Sequence, residues 1–341
     1  MMRKYYILIG VICFLFVSAQ AQEQSVVASI DTSLKVVHKV ELSGVFCAVK
    51  VTKSSSDKVV VQGVLKTGQN KDQYRFNLSS TAEVMSLLVE SPAKFSSHWG
   101  EINLAIPEGM KLSVQTQSGS VTIDQLRADS VTIISKSGHV KLSRTQGVFS
   151  VNTPSGNISI NKCLGSYKGK SKSGTIRLSE VDGDMDVNTN KGSVVVNDVK
   201  GNLIAETSSG SHEIDNSKAT IKVKTTSGAM NISKLDGDMN ITSFTGNIKI
   251  FQTTGGITLK SSTGNVTGNR IKFTKSSKFV TTEGSVKVQM AMEDKSQLAF
   301  VLKSNSSYLR AMGKSKKKSL KAGKGSIVIE GISTTGGQTY Y

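Results

Sequence analysis

Two short acidic segments, DGDMDV at 182–187 and DGDMNI at 236–241, hold the densest carboxylates of the sequence. Paired carboxylates hydrolyse glycosidic bonds, one protonating the leaving oxygen and the other acting as nucleophile or base, so these segments raise the prospect of a polysaccharide-degrading enzyme. Their spacing argues against it. Gly183 and Gly237 lie 54 residues apart, three turns of the repeat described below. That is about 14 Å, beyond the roughly 5 to 9.5 Å of working pairs. Asp182, Asp184 and Asp186 alternate as Ca²⁺-loop ligands do, but Val187 and Ser193 stand where an EF-hand loop needs Gly and Glu. The Gly-Gly-x-Gly-x-Asp calcium repeat is also absent. Turn acids are the better reading.

Other reactive side chains are dispersed. His38, His98, His139 and His212 share no metal-ligand spacing, and neither a nucleophile elbow nor a phosphate-binding loop occurs. Cys47 and Cys163 sit beside apolar residues and are expected to be buried free thiols. Trp99, the single Trp, is expected to anchor a loop or cap. No cofactor and no catalytic residue are implied.

Charge offers a different chemistry. The formal net charge is +18, and GKSKKKSLKAGKGS near the C-terminus concentrates Lys314, Lys316, Lys317, Lys318, Lys321 and Lys324. This run is expected to form a solvated terminal loop, with an anionic-ligand patch as the functional alternative. An acidic glycan, lipopolysaccharide or a surface protein would be its partner. No nucleic acid is expected.

The most regular polar feature is a hydroxyl ladder. Ser or Thr stands three residues before each of ten glycines, at 116, 135, 153, 171, 189, 207, 225, 243, 261 and 281. Facing outward, such a ladder would form a flat array suited to ice or a crystalline polysaccharide. Parity favours the inside: Val151, Val187 and Ile241 lie two residues before Thr153, Thr189 and Ser243, so these hydroxyls share the aliphatic face.

The glycines themselves reveal the elements that position everything else. They fall at 119, 138, 156, 174, 192, 210, 228, 246, 264 and 284, mostly 18 residues apart, with apolar residues two and four positions after nearly all of them. A second set, at 147, 165, 183, 201, 237 and 255, falls nine residues later. Two short alternating strands and two turns per 18 residues predict an all-β fold. It is a single-stranded parallel β-helix, or β-solenoid, with right-handed winding and less regular caps. The outward column three residues after each Gly holds Thr122, Lys141, Ser159, Arg177, Val195, Glu213, Asn231, Lys249, Thr267 and Lys287, a mixture with no continuous basic stripe.

Domain organisation follows. Arg3 and Lys4 precede an apolar run ending in Ala19-Gln20-Ala21, the pattern of a signal peptide over residues 1–21. Residues 22–117 are expected to form irregular N-terminal coils and a cap, 118–290 the regular repeats, and 291–341 the C-terminal coils and cap. No later segment has the length or apolarity of a membrane span, so an extracytoplasmic location is expected: periplasmic, cell-surface or secreted.

The stretch IPEGMKLSVQTQSGSVTI at 106–123, followed by serial Ser-Gly-x-[Val/Ile]-x-[Val/Ile] units, resembles the bacterial putative-adhesin family of β-strand-repeat domains of unknown function, and is similar to head-GIN adhesin domains. The resemblance covers roughly residues 35–335. It implies a secreted or envelope-associated β-helix and brings no ligand or catalytic residues. The expected function is non-enzymatic: an extended surface for an envelope polymer, glycan or protein. A polysaccharide-degrading β-helix acting on an acidic glycan, or a sensor of envelope stress or antimicrobial peptides, is the alternative.

Overall fold

A computed structural model describes residues 24–35, 37–92, 98–291 and 295–341. The expected signal peptide lies outside the described residues. The fold is a parallel β-solenoid with coils of about 18 residues. Four successive coils form unusually long strands, Ile158–Ser171, Ile176–Thr189, Val194–Thr207 and His212–Thr225, each pairing in parallel with the next.

Register is strict, so like residues stack on like. One inward column runs Ile158, Ile176, Val194, His212, Met230, Ile248, Val266, Val286. A second runs Tyr167, Met185, Leu203, Ile221, Met239, Ile257. These join one continuous core from Val37 to Tyr340, in which each fully buried aliphatic side chain stabilises by roughly 1.5–3 kcal/mol.

The glycine column is required by proximity. A Cβ on Gly138, Gly156, Gly174, Gly192, Gly210, Gly228, Gly246, Gly264 or Gly284 would stand well under 3.0 Å from the carbonyl oxygen of the equivalent Gly one coil earlier. The ladder hydroxyls complete the turn. Thr153, Ser171 and Thr189 accept from the N–H of Gly156, Gly174 and Gly192 at 3.1, 2.9 and 3.3 Å. They donate to the carbonyls of Gly138, Gly156 and Gly174 at 3.1, 3.2 and 3.0 Å. All ten are buried, Thr225 at 3% and Ser243 at 4% exposure, as parity required. The hydroxyl one residue before the Gly is instead exposed along the coil edge, where Ser137 and Thr245 donate to the preceding coil's Gln117 and Thr226 carbonyls at 3.1 and 3.3 Å.

The opposite corner uses a conformation that the sequence pattern does not advertise. Gln125, Arg144, Lys162, Glu180, Asp198, Asn216, Lys234, Gln252 and Arg270 all have φ between 48° and 56°, the left-handed region that costs an ordinary residue roughly 1–2 kcal/mol. The second glycine set follows three residues later, with φ from 105° to 151°.

Both ends depart from parallel stacking. At the N-terminal end, Ser25–Lys35 runs antiparallel to Lys58–Thr67, which runs antiparallel to His98–Ile106, and Arg75–Ser80 pairs antiparallel with Val84–Glu90. Trp99, in this cap, is 41% exposed with the Lys66 ammonium 5.2 Å from its ring, so it is a surface residue of the cap. At the C-terminal end the lysine run is a strand and not the expected loop. Lys314–Gly323 pairs antiparallel with Leu298–Ala311 and forms the outermost edge of the stack.

The segment 295–326 conceals a further coil. Ile327–Ser333 and Gln338–Tyr340 stack on Ser277–Thr281 and Val286–Met290, and a Cβ on Gly336 would again collide with the Gly284 carbonyl. The segment Ser333-Thr334-Thr335-Gly336 is therefore a displaced copy of the repeat.

Gly192→Ala is expected to destabilise by about 3 kcal/mol, because the colliding atoms are backbone of the adjacent coil. Gly313→Ala, in an open hairpin turn (φ 73, nothing within 4 Å), should cost only about 1 kcal/mol. Thermal unfolding followed by circular dichroism compares the two; equal losses would contradict the glycine-column account.

Candidate functional site

The acidic segments are divided by the coil register. Asp184, Asn202 and Thr220 lie side by side on consecutive coils, and Asp238 follows one coil further, so the two carboxylates stand about 14 Å apart. Each is engaged locally. Asp184 accepts from Asn202 Nδ2 at 2.9 Å, and Asp186 pairs with Lys168 at 3.6 Å. Asp238 accepts from Lys275 Nζ at 2.6 Å and from the Gly256 N–H at 2.9 Å. The Lys275 hydrogen bond, reinforced by the Gly256 N–H, holds the Asp238 carboxyl below the usual range. Among the described residues, no group of three His, Cys, Asp or Glu is gathered to hold a metal ion.

The C-terminal hairpin carries the concentrated charge. Residues 295–329 contain nine Lys and Arg and no Asp or Glu. No ion pair recorded among the described residues reaches either hairpin strand. The register distributes the six candidate lysines. Lys314 and Lys316 lie opposite buried Ala311 and Leu309, at the open end of the core. Lys317 lies opposite exposed Tyr308, on one lateral face, and Lys321 opposite Val301, on the other. Lys318, with φ 66, occupies the bend between them, and Lys324 follows the strand. Lys314, Lys316 and Lys321 line one surface hollow of about 670 Å³ together with Ser315, Ser319 and Leu320. The other three lysines are not part of that lining.

The hairpin also extends the outward column that seemed to stop at Lys287. Lys287 pairs with Thr339, Thr339 with Arg310, and Arg310 with Ser315, crossing four strands. Two exposed rings flank this row: Tyr308, 57% exposed with Lys317 Nζ 4.8 Å from its centre, and Tyr341, 46% exposed with Lys287 Nζ 5.8 Å from its centre. Tyr308, Arg310, Thr339 and Tyr341 were not among the sequence candidates. The repeat at 333–340 was the available signal, since it places Thr339 three residues after Gly336, as Lys287 follows Gly284.

Residues 20–200 and 180–330 match the Toastrack DUF4097 family, so the two matches together span nearly all of the sequence. The chain belongs to this family. No curated protein matches it. Among solved structures, a "putative adhesin" from Parabacteroides merdae is similar over 76% of this chain and 95% of its own, with 12% identity and a TM-score of 0.34. A "putative adhesin" from Bacteroides fragilis is similar over 92% and 97%, with 11% identity and a TM-score of 0.24. For a "putative cell adhesion protein" from Clostridium sporogenes the values are 92%, 98%, 8% and 0.19. Similarities this low carry no argument about function. No helix among the described residues of this Toastrack chain is long and apolar enough to cross a membrane, which leaves membrane-crossing strands unaddressed.

The buried titratable groups of the Toastrack core are structural. Cys47 and Cys163 are free and buried, and burial pushes the Cys47 thiol up to about 12, so the reactive thiolate is suppressed. His212 occupies a position that Val194 and Met230 fill in the adjacent coils, and it is 0% exposed. Its Nε2 donates to the Lys224 carbonyl at 3.2 Å and lies 3.0 Å from Thr207 Oγ1, while Nδ1 has no partner. Burial lowers its pKa to about 4, opposed only by the Lys224 carbonyl bond.

The unfolded chain therefore takes up this proton at a higher pH than the folded one. Stability is full above the ordinary histidine value of 6.5 and falls as pH drops toward about 4, by about 3 kcal/mol in total. His212→Met should remove that component of the acid sensitivity while retaining stability at neutral pH. Denaturant unfolding of both proteins at several pH values checks it; parallel pH dependences would refute the assignment.

Proposed function

We propose that the chain is a non-enzymatic, extracytoplasmic, adhesin-like solenoid whose C-terminal end binds an anionic polymer of the cell envelope, an acidic glycan or lipopolysaccharide. The observation that carries this reading is the hairpin of Leu298–Ala311 and Lys314–Gly323, where basic residues accumulate without an acidic neighbour in the segment 295–329. Stacked coils hold those cations on a rigid base, so binding does not require the base to fold around the ligand. Unpaired surface charges of one sign attract polyanions at long range and lose that attraction as salt shortens the screening length.

Edge protection accounts for part of the same charge. An exposed edge strand templates aggregation unless blunted, and lysines are a common device. Lys314 and Lys316, at the open end of the stack, suit that role, and a polyanion crossing the end would meet them together with Lys321.

Immobilised lipopolysaccharide and polygalacturonate should both capture the protein at about 50 mM salt and release most of it at about 500 mM, while neutral dextran captures none. Replacing Lys314, Lys316, Lys317, Lys318, Lys321 and Lys324 by Gln should weaken capture at least tenfold. Binding indifferent to salt and to these replacements would remove the electrostatic reading, and new reducing ends in polygalacturonate would remove the non-enzymatic one.

A further inference from the structure

Beside the lysine-rich edge lies a surface of different composition. The hairpin strand Leu298–Ala311 presents Tyr308 and Arg310 on the same lateral face as Thr339 and Lys287, as the register Lys287, Thr339, Arg310, Ser315 requires. Tyr341 follows Tyr340, which pairs with Ala311, so it lies past Arg310 on the side opposite Tyr308. The backbone positions of Tyr308 and Tyr341 are thus about 13 Å apart along the strand direction, with adjacent strands about 4.8 Å apart across it. Between them in the register stand Arg310 and Thr339. The backbone beside Tyr308 belongs to Gly337, where a Cβ would approach only the Tyr308 carbonyl, at 3.6 Å.

We propose that Tyr308, Arg310, Thr339 and Tyr341, with Lys287 and Lys317, form a binding site for an acidic oligosaccharide two or three sugars long. This rests on the polyanion-binding reading above and assigns it a location and a ligand class. Each element matches one part of such a ligand. A guanidinium binds a carboxylate or phosphate through two parallel hydrogen bonds, a geometry that Lys does not offer. A tyrosine ring provides a rigid apolar face for the C–H side of a sugar, and its hydroxyl remains free to bond. Lys317 and Lys287, already over the two rings at 4.8 and 5.8 Å, add positive charge where the ends of the chain would lie. Thr339 and Ser315 supply hydroxyl partners.

Charge complementarity favours an anionic occupant over a neutral one. No acidic side chain occurs from 295 to 329, and Ser285 and Gln289, the alternate positions on either side of Lys287, are neutral; the nearest acid along that stretch is Glu283, four residues before Lys287. Tyrosine spacing favours a saccharide over a single-stranded nucleic acid. Consecutive bases stack on aromatic platforms side by side, whereas two tyrosine positions about 13 Å apart along the backbone, with an arginine and a threonine in the interval, suit a ligand whose charges recur between its apolar faces.

Isothermal titration with trigalacturonate, maltotriose, glucose 6-phosphate and a six-residue thymidine oligonucleotide tests the proposal at low salt on the full chain. Trigalacturonate should bind, maltotriose at least tenfold more weakly, and glucose 6-phosphate in between. The triple variant Tyr308→Ser, Arg310→Gln, Tyr341→Ser should lose at least tenfold in affinity for trigalacturonate. Arg310→Lys alone should lose part of that, because it keeps the charge and loses the fork. Lys170→Gln with Lys172→Gln, on exposed positions in the middle of the stack, should stay within about threefold of wild type. All substituted side chains are exposed, and unchanged thermal unfolding confirms that each variant is folded.

Retention of trigalacturonate binding by the triple variant would overturn this site while leaving the general polyanion reading in place. Tighter binding of the oligonucleotide than of trigalacturonate would overturn the ligand class. A wild-type protein that binds none of the anionic probes or polymers would overturn both readings.

Discussion

Close backbone approach at one corner sets the terms for this structure. Wherever the glycine column passes, the preceding coil's carbonyl occupies the space that a Cβ would need, so the chain must return to that point with a glycine each time. A Ser or Thr three residues earlier supplies the hydrogen bonds that hold the turn, accepting from the Gly N–H and donating to a Gly carbonyl. The 18-residue period is the path length between two such returns. Aliphatic columns, the left-handed corner and the outward columns all inherit their alignment from it.

That alignment has to be ended as well as propagated. A parallel stack leaves an open strand at each end, and here both ends are finished with antiparallel strands. At the C-terminal end the finishing hairpin is inserted within a coil. The chain leaves after Val286–Met290, builds the hairpin, and returns through Ile327–Ser333 and Gln338–Tyr340 to complete a turn on the same glycine column. Because Leu298–Ala311 continues the ladder by pairing in parallel with both returning strands, the insertion becomes the top coil and its outward residues join columns begun far earlier in the sequence.

How much could be read in advance follows from the same geometry. The aliphatic alternation, the Gly spacing and the parity of Thr153 or Ser243 express direct contacts between coils, and each requires particular residue types, so the pattern is visible. The left-handed corner is occupied by Gln, Arg, Lys, Glu, Asp and Asn in turn; its conformation is imposed by the two flanking strands and demands only a polar exterior, so no type recurs. The lysine run looked like a loop because its alternation is carried by Leu320 and Ala322 alone, the residues of Lys314–Gly323 that are buried. The row joining Lys287, Thr339 and Arg310 was hidden for another reason. Its members are neighbours only because the chain returns to register after the segment 295–326, which spacing shows at Ser333-Thr334-Thr335-Gly336 but composition does not.

Chemistry in such a fold is confined to the positions that stacking leaves unconstrained. An inward residue must fit the coils above and below it, which is why His212 is neutral and enclosed where an aliphatic side chain would serve. Turn residues are committed to glycine contacts and hydroxyl bonds. Outward residues in the middle of the stack are free to vary, yet each is flanked by unrelated neighbours, and acids such as Asp186 and Asp238 are engaged by a nearby Lys. Among the described residues, the C-terminal hairpin concentrates one sign of charge, and exposed Tyr308 and Tyr341 lie beside it on a single face. Edge protection explains lysines pointing along the stack. It does not explain Arg310, Tyr308 and Tyr341 on the lateral face, because aromatic rings there add apolar surface without blocking the open edge, and that difference is the physical reason to look for a ligand at the side of the cap.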